Sequence, residues 1–141
     1  MNSVNYQLDA LKKLHSNQSE YWMARDLMPV LGYSRWENFQ AVISKAKMAC
    51  ESAGIDPANH FLDTTKMVQI GSGAMAERAD CFLSRYACYL VAMNGDTSKQ
   101  QIGMAQTYFA VQTRKQEVYE ELTEAEKRIE LRDRLRTTTR N

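Results

Sequence analysis

Residues 24–54, ARDLMPVLGYSRWENFQAVISKAKMACESAG, decide how the rest of the chain is read. Leu27, Val30 and Leu31 give a short apolar helical face, closed by Gly32, since glycine ends a helix at little steric cost. Pro29 restricts that helix to a turn or so. Ser34 and Glu37 follow in capping-box spacing, a hydroxyl at the first end and a carboxylate three residues on. Trp36, Phe39, Ile43, Ala46 and Cys50 then recur at intervals of three and four, the stripe of a helix buried along one side, and Gly54 stops it. Two helices joined by a glycine-containing turn predict a helix-turn-helix-like core.

Before this stretch, Val4, Leu8, Leu11 and Leu14 lie on one helical face, and Tyr21–Met23 suit a short strand. After it the period changes. Phe61, Thr65, Met67 and Gln69, the turn Gly71-Ser72-Gly73 and a return strand predict a small β-hairpin, with Lys66 and Arg78 on its two arms. The segment DCFLSRYACYLVAMNGD, Asp80 to Asp96, has an N-cap residue in Ser84, a stop in Gly95 and apolar residues nearly all round between them. That pattern predicts a core helix with Tyr86, Leu90 and Met93 buried beside Trp36, Phe39 and Ile43. Thr97–Gln100 offers a second capping box. A helix from Ser98 to Arg136 would reach about 60 Å at ~1.5 Å per residue; Thr123 and Glu126 offer a fresh start, so a break near Glu121 is an equal alternative. The expected fold class is α+β, predominantly α: a helix-turn-helix-like core, a small β-hairpin and a long C-terminal helix. The expected domains are a globular part, 1–114, and a charged helical extension, 115–141.

The 141 residues carry a formal net charge of +1, with 44% hydrophobic and 25% charged residues. These values suit one globular domain and exclude a chain that attracts nucleic acid by bulk charge, so any DNA contact needs local patches. No apolar run approaches the roughly 18 residues of a membrane span, and no secretory leader pattern opens the chain. Cys50, Cys81 and Cys88 form no paired framework, which suits a reducing cytoplasm. With His15 and His60 as the only histidines, a zinc site is not expected, and no cofactor is. The chain has no P-loop, no His-Glu-x-x-His and no dinucleotide fingerprint, and Ser84 has no histidine near it in sequence, so an enzyme is not expected.

Several residues invite a functional reading beside a structural one. Arg35, Asn38, Val42 and Lys45 share a second face of the Trp36 helix, and Arg and Asn side chains can read guanine and adenine edges in a major groove. Lys45, Lys47, Lys66 and Arg78 suit phosphates. The competing reading is an ordinary solvated face, which Glu37 and Glu51 favour. Arg85 and Tyr86 suit either a phosphate site or an ion pair and core filling; Cys81 and Cys88 either redox sensing or inert packing; Tyr108 and Phe109 either base stacking or packing. Leu122, Ala125 and Ile129 leave an apolar seam for a partner, most simply a second copy in a homodimer. Its alternative is a solvated tail held by pairs such as Glu124 with Arg128 and Glu130 with Arg134.

The signatures ARDL…LGY, IGSGA and LSRYACYLVAMNGD, followed by AQTYFAVQTRKQE, together resemble the DNA-damage-inducible protein D family, from about Glu20 to Arg136. That family carries the BRO N-terminal domain, shared with phage antirepressors. The resemblance implies a non-enzymatic, DNA-binding regulator of the bacterial DNA-damage response or of a prophage. Members are usually longer, so the chain resembles an N-terminal half. Two functions follow as expectations: a DNA-binding regulator using the Arg35 helix and the Gly71–Gly73 wing, or an antirepressor or inhibitor that binds a repressor or DNA-repair protein through its helical surface.

Overall fold

The computed structural model describes residues 3–139. In chain order the elements are α1 (Ser3–Leu11), β1 (Lys13–Leu14), β2 (Glu20–Met23), α2 (Ala24–Val30), α3 (Trp36–Ser52), a 3-10 turn (Pro57–Asn59), β3 (Phe61–Gln69), β4 (Met75–Ser84), α4 (Arg85–Met93) and α5 (Gln100–Thr139). Side chains of several α5 residues, including the Glu130–Arg134 pair considered above, lie outside those described. The chain divides into two units, Met1–Phe109 and Ala110–Asn141.

The first unit is organised on an antiparallel sheet of order β1-β2-β4-β3. β4 takes β3 along its whole length, from Phe61 opposite Leu83 to Gln69 opposite Met75. β2 reaches only the inner end of β4, with Tyr21 opposite Ser84, Trp22 opposite Leu83 and Met23 opposite Phe82. From the Asp63–Cys81 pair outward the hairpin therefore runs on as a two-stranded arm. At its tip the Ile70 N–H donates to the Ala74 carbonyl and the Gly73 N–H to the Ile70 carbonyl, both at 2.9 Å. Gly73 sits at φ +84°, in the left-handed region that a side chain would oppose.

Trp22, Leu27, Leu31, Phe39, Leu83, Val91, Ile102 and Phe109 are fully buried and tie the helices to the sheet. The Trp22 indole N–H donates to the Leu8 carbonyl at 2.8 Å, and its ring meets Phe109 edge-on at 5.3 Å. An aromatic N–H with an internal partner can be buried without a desolvation penalty. The Tyr108 hydroxyl donates to Asp9 Oδ1 at 2.6 Å, so the first and last segments of this unit meet.

The expected fold class is overturned. A four-stranded sheet stands where a small hairpin was expected, because β1 and β2 pair back onto the chain through β4. α2 and α3 do follow each other through Gly32, at φ +85°, but α3 packs mainly on α4 and only lightly on α2, so they are not the mutually packed pair of a helix-turn-helix. The long C-terminal helix is not an element of the compact fold either. Only its short opening stretch packs on the core, through Ile102, Ala105, Tyr108 and Phe109; after Phe109 no residue whose side chain is described is buried.

Local details differ too. α3 starts after Arg35, whose side chain makes no cap bond, so the Ser34–Glu37 capping box does not form. Leu14 lies exposed in β1 rather than on the α1 face, whose buried residues are Val4 and Leu8. In α4 the Ser84 hydroxyl does cap the helix, accepting from the Ala87 N–H at 3.0 Å. Its buried face, however, is Ala87, Cys88, Val91 and Ala92; Tyr86 and Leu90 are half-buried and Met93 is 49% exposed. The buried face of α4 is thus built mostly of small side chains, with the larger Tyr86, Leu90 and Met93 on the flanks.

Candidate nucleic-acid interface

The four residues Ala24 to Leu27 place the charged groups around the arm. Ala24 and Leu27 are fully buried and fix α2 against the core. Between them Arg25 bridges two elements. Its Nε donates to the Ala79 carbonyl of β4 at 2.6 Å, and its guanidinium lies 4.2 Å over the Trp36 ring at the start of α3. Its backbone N–H donates to Oδ1 of the buried Asp80, which also accepts from the Cys81 N–H at 2.8 Å. A buried carboxylate needs such donors to remain in place.

Asp26 faces the arm. Lys66 Nζ lies 3.4 Å from its Oδ1 and Lys13 Nζ 3.8 Å from its Oδ2. Lys66 in turn stands directly opposite Arg78 in the β3–β4 register. Like charges directly opposite each other destabilise a strand pair. Asp26 faces both Lys13 and Lys66, while Arg78 Nη1 donates to the Glu77 carbonyl at 3.1 Å. The patch thus carries more positive than negative charge.

The six residues nominated for DNA fall into separate groups. Arg35, Asn38 and Lys45 are exposed along one flank of α3. Val42, placed on the same face from its spacing, is buried and belongs to the core stripe. Lys47 lies on the opposite flank, with Nζ 3.3 Å from Asp63 Oδ1. It borders a cleft of about 220 Å³ between α3 and the arm, lined also by Trp36, Gln40, Ser44 and Asp63. Lys66 and Arg78 share one face of the arm. Sequence reasoning passed over Arg25 and Lys13. Arg25 lies within the ARDL signature without a role drawn from its own side chain, and Lys13 lies in a stretch that reads as helix.

The other nominated groups have structural partners. Arg85 Nη1 meets Glu20 Oε2 at 3.5 Å. Tyr108 and Phe109 are buried. All three cysteines are buried, and burial raises their thiol pKa values, that of Cys81 to about 11. Ser84 does have a histidine beside it: His60 Nδ1 lies 2.7 Å from its Oγ. A strand pairing that brings residue 60 to residue 84 is invisible in local sequence. With the imidazole neutral, the hydroxyl donates to Nδ1 and keeps a lone pair for the Ala87 N–H, so the pair fastens the start of β3 to the start of α4. Among the described residues, no helix is long and apolar enough to cross a membrane.

The family model described as BRO family, N-terminal domain, matches residues 11–110, close to the extent of the first unit. The chain belongs to the BRO N-terminal domain family. It is also similar to DNA damage-inducible protein D of Escherichia coli (strain K12), at 44% identity over 141 residues, covering 96% of this chain and 52% of that protein. The chain therefore spans about half the length of that curated relative. No solved structure matches it. The geometry shows what ARDL…LGY and LSRYACYLVAMNGD, taken as first and second signature, do in this BRO domain. ARDL anchors α2 and sets the charges beside the arm, and the tyrosine of LGY hydrogen-bonds to the end of the second signature, at Asp96.

Proposed function

We propose that this BRO domain is a DNA-linked regulatory module that holds duplex DNA with its β3–β4 arm and the exposed flank of α3. The observation that carries the reading is Lys66 opposite Arg78, with Lys13 close by and Asp26 shared between two of the three cations. Such a pairing is unfavourable in an isolated ribbon and becomes favourable against phosphate. A two-stranded ribbon also fits a major groove. Lys13, Lys66 and Arg78 take phosphates, Lys45 takes another, and Arg35 and Asn38 face base edges. The name of the relative, DNA damage-inducible protein D, supports a link to the damage response.

The test is binding of the whole chain to duplex and single-stranded DNA at two salt concentrations. Lys66→Ala and Arg78→Ala should each weaken all duplexes alike and lower the salt slope by about one. Arg35→Ala should instead relax base preference at one position by ~1–3 kcal/mol. Absence of duplex binding at low salt, or binding unchanged in all three variants, overturns the reading.

A further inference from the structure

The second unit carries its own unpartnered face. Val118, Leu122, Ala125 and Ile129 follow at intervals of four, three and four, so they form one stripe along α5. Val118 is 36%, Leu122 59% and Ile129 50% exposed, and Ala125 is half-buried. The stripe is about 17 Å long at ~1.5 Å per residue. Lys115 precedes it and Arg132 follows it at the same spacing, so charge bounds it at both ends. A groove lined by Ala125, Arg128, Ile129 and Arg132 runs beside its second half.

We propose that this stripe is the docking surface for a second copy of the chain, laid antiparallel. Two independent properties of the residues select that occupant and direction. The first is volume. In a parallel pair each residue meets itself, so Leu122 crowds Leu122 while Ala125 faces Ala125 across a gap. In an antiparallel pair Leu122 meets Ala125 and Val118 meets Ile129, which evens the layers along the seam. The second is charge. Flanking positions in a parallel pair set Glu121 against Glu126 of the second copy, a repulsion made twice. The antiparallel register sets Glu121 against Arg128 of the second copy, an attraction made twice. Glu121 already draws a guanidinium within its own helix, Arg114 Nη1 at 3.9 Å, so this carboxylate stands where a cation reaches it. The stripe and its Glu121–Arg128 flanks are thus complementary across a twofold axis centred between Thr123 and Glu124, while Lys115 and Arg132 set like charges at the ends of the seam in either direction.

Sedimentation equilibrium of the full chain tests the proposal. The parent should show a reversible monomer–dimer equilibrium. Leu122→Ala and Ile129→Ala, which keep good helix formers in place, should each weaken it at least tenfold. Orientation is read from charge: Glu121→Arg should weaken the dimer about threefold to tenfold, and Arg128→Glu in the same chain should restore it. A chain monomeric at about 100 µM, well above ordinary specific affinities, overturns the proposal. A dimer indifferent to Leu122→Ala overturns the surface. A dimer tightened by Glu121→Arg is parallel and overturns the direction.

Discussion

The Tyr33 hydroxyl accepts a 2.9 Å hydrogen bond from the backbone N–H of Asp96, joining the turn after α2 to the turn after α4. The Tyr33 ring packs against Phe39 at 5.3 Å and lies under the Lys99 ammonium at 5.0 Å. The Asp96 carboxylate accepts from the Ser98 hydroxyl and N–H, and those bonds hold its pKa below the ordinary value. One tyrosine thus fixes the two chain reversals that bracket the α3–α4 packing.

Removing that hydroxyl should separate its hydrogen bond from the packing of the ring. Tyr33→Phe is expected to cost ~1 kcal/mol, the net value of one hydrogen bond. Urea denaturation with an unchanged slope would measure it; a loss below ~0.3 kcal/mol would show that solvent replaces the bond without penalty.

Gly95 is set by space rather than by backbone conformation. A Cβ there would lie 2.5 Å from Ile102 Cδ1 and 3.2 Å from its Cγ1. Gly95→Ala should therefore cost ~1–3 kcal/mol through overpacking. Ile102→Val removes Cδ1 and costs ~0.5–1.5 kcal/mol alone, yet should restore stability in the Gly95→Ala background. Strictly additive losses in the double-mutant cycle would place the strain elsewhere.

Which face of α4 is buried can be read from a pair of substitutions. Val91→Ala should cost ~1.5–3 kcal/mol, from the lost methyl groups and the cavity left behind. Met93→Ala, at an exposed position, should stay within ~0.5 kcal/mol of the parent. The reverse ranking by thermal or chemical denaturation would rotate the helix back to the face its sequence pattern suggested.

His60 gives the domain a dependence on pH. Burial lowers its pKa from the ordinary 6.5. Below that value the unfolded chain takes up a proton that the folded chain resists, so stability is fully present above about 6.5 and falls as pH drops toward the folded pKa. Melting temperature should decline as pH falls below about 6.5, and His60→Asn should flatten the decline. Equal declines in parent and variant would assign the effect to other groups.

Local signals in the sequence led to several of these elements. The three-and-four spacing of Phe39, Ile43, Ala46 and Cys50, the glycines of the arm's turn and the Ser84 cap each act within a few residues, and each is in place, while Trp36 at the head of that stripe is only half-buried. The overturned fold class traces to pairings that span the chain. Trp22 finds Leu83, and Arg25 finds Ala79, across stretches whose own periodicity says nothing of the partner. The same limit applied to the candidate interface. Residue types marked Arg35, Asn38, Lys45, Lys47, Lys66 and Arg78, but only the strand register shows that the last two oppose each other, and only the packing of α3 beside β3 brings Lys47 to Asp63. Val42 went to the wrong face because the buried stripe of α3 is wider than its largest residues suggest.

The bond between Asp9 and Tyr108 joins residues 99 positions apart. During synthesis at roughly 5–20 residues per second, about 5–20 s pass between the appearance of one partner and the other. Throughout that interval Trp22 lacks Phe109, its edge-on neighbour, and α1 lacks the tyrosine that will hold it. The newborn domain is thus kept waiting for its final helix, and a ribosome that stalls before Ile102 leaves an unfinished core for chaperones or proteases to recognise.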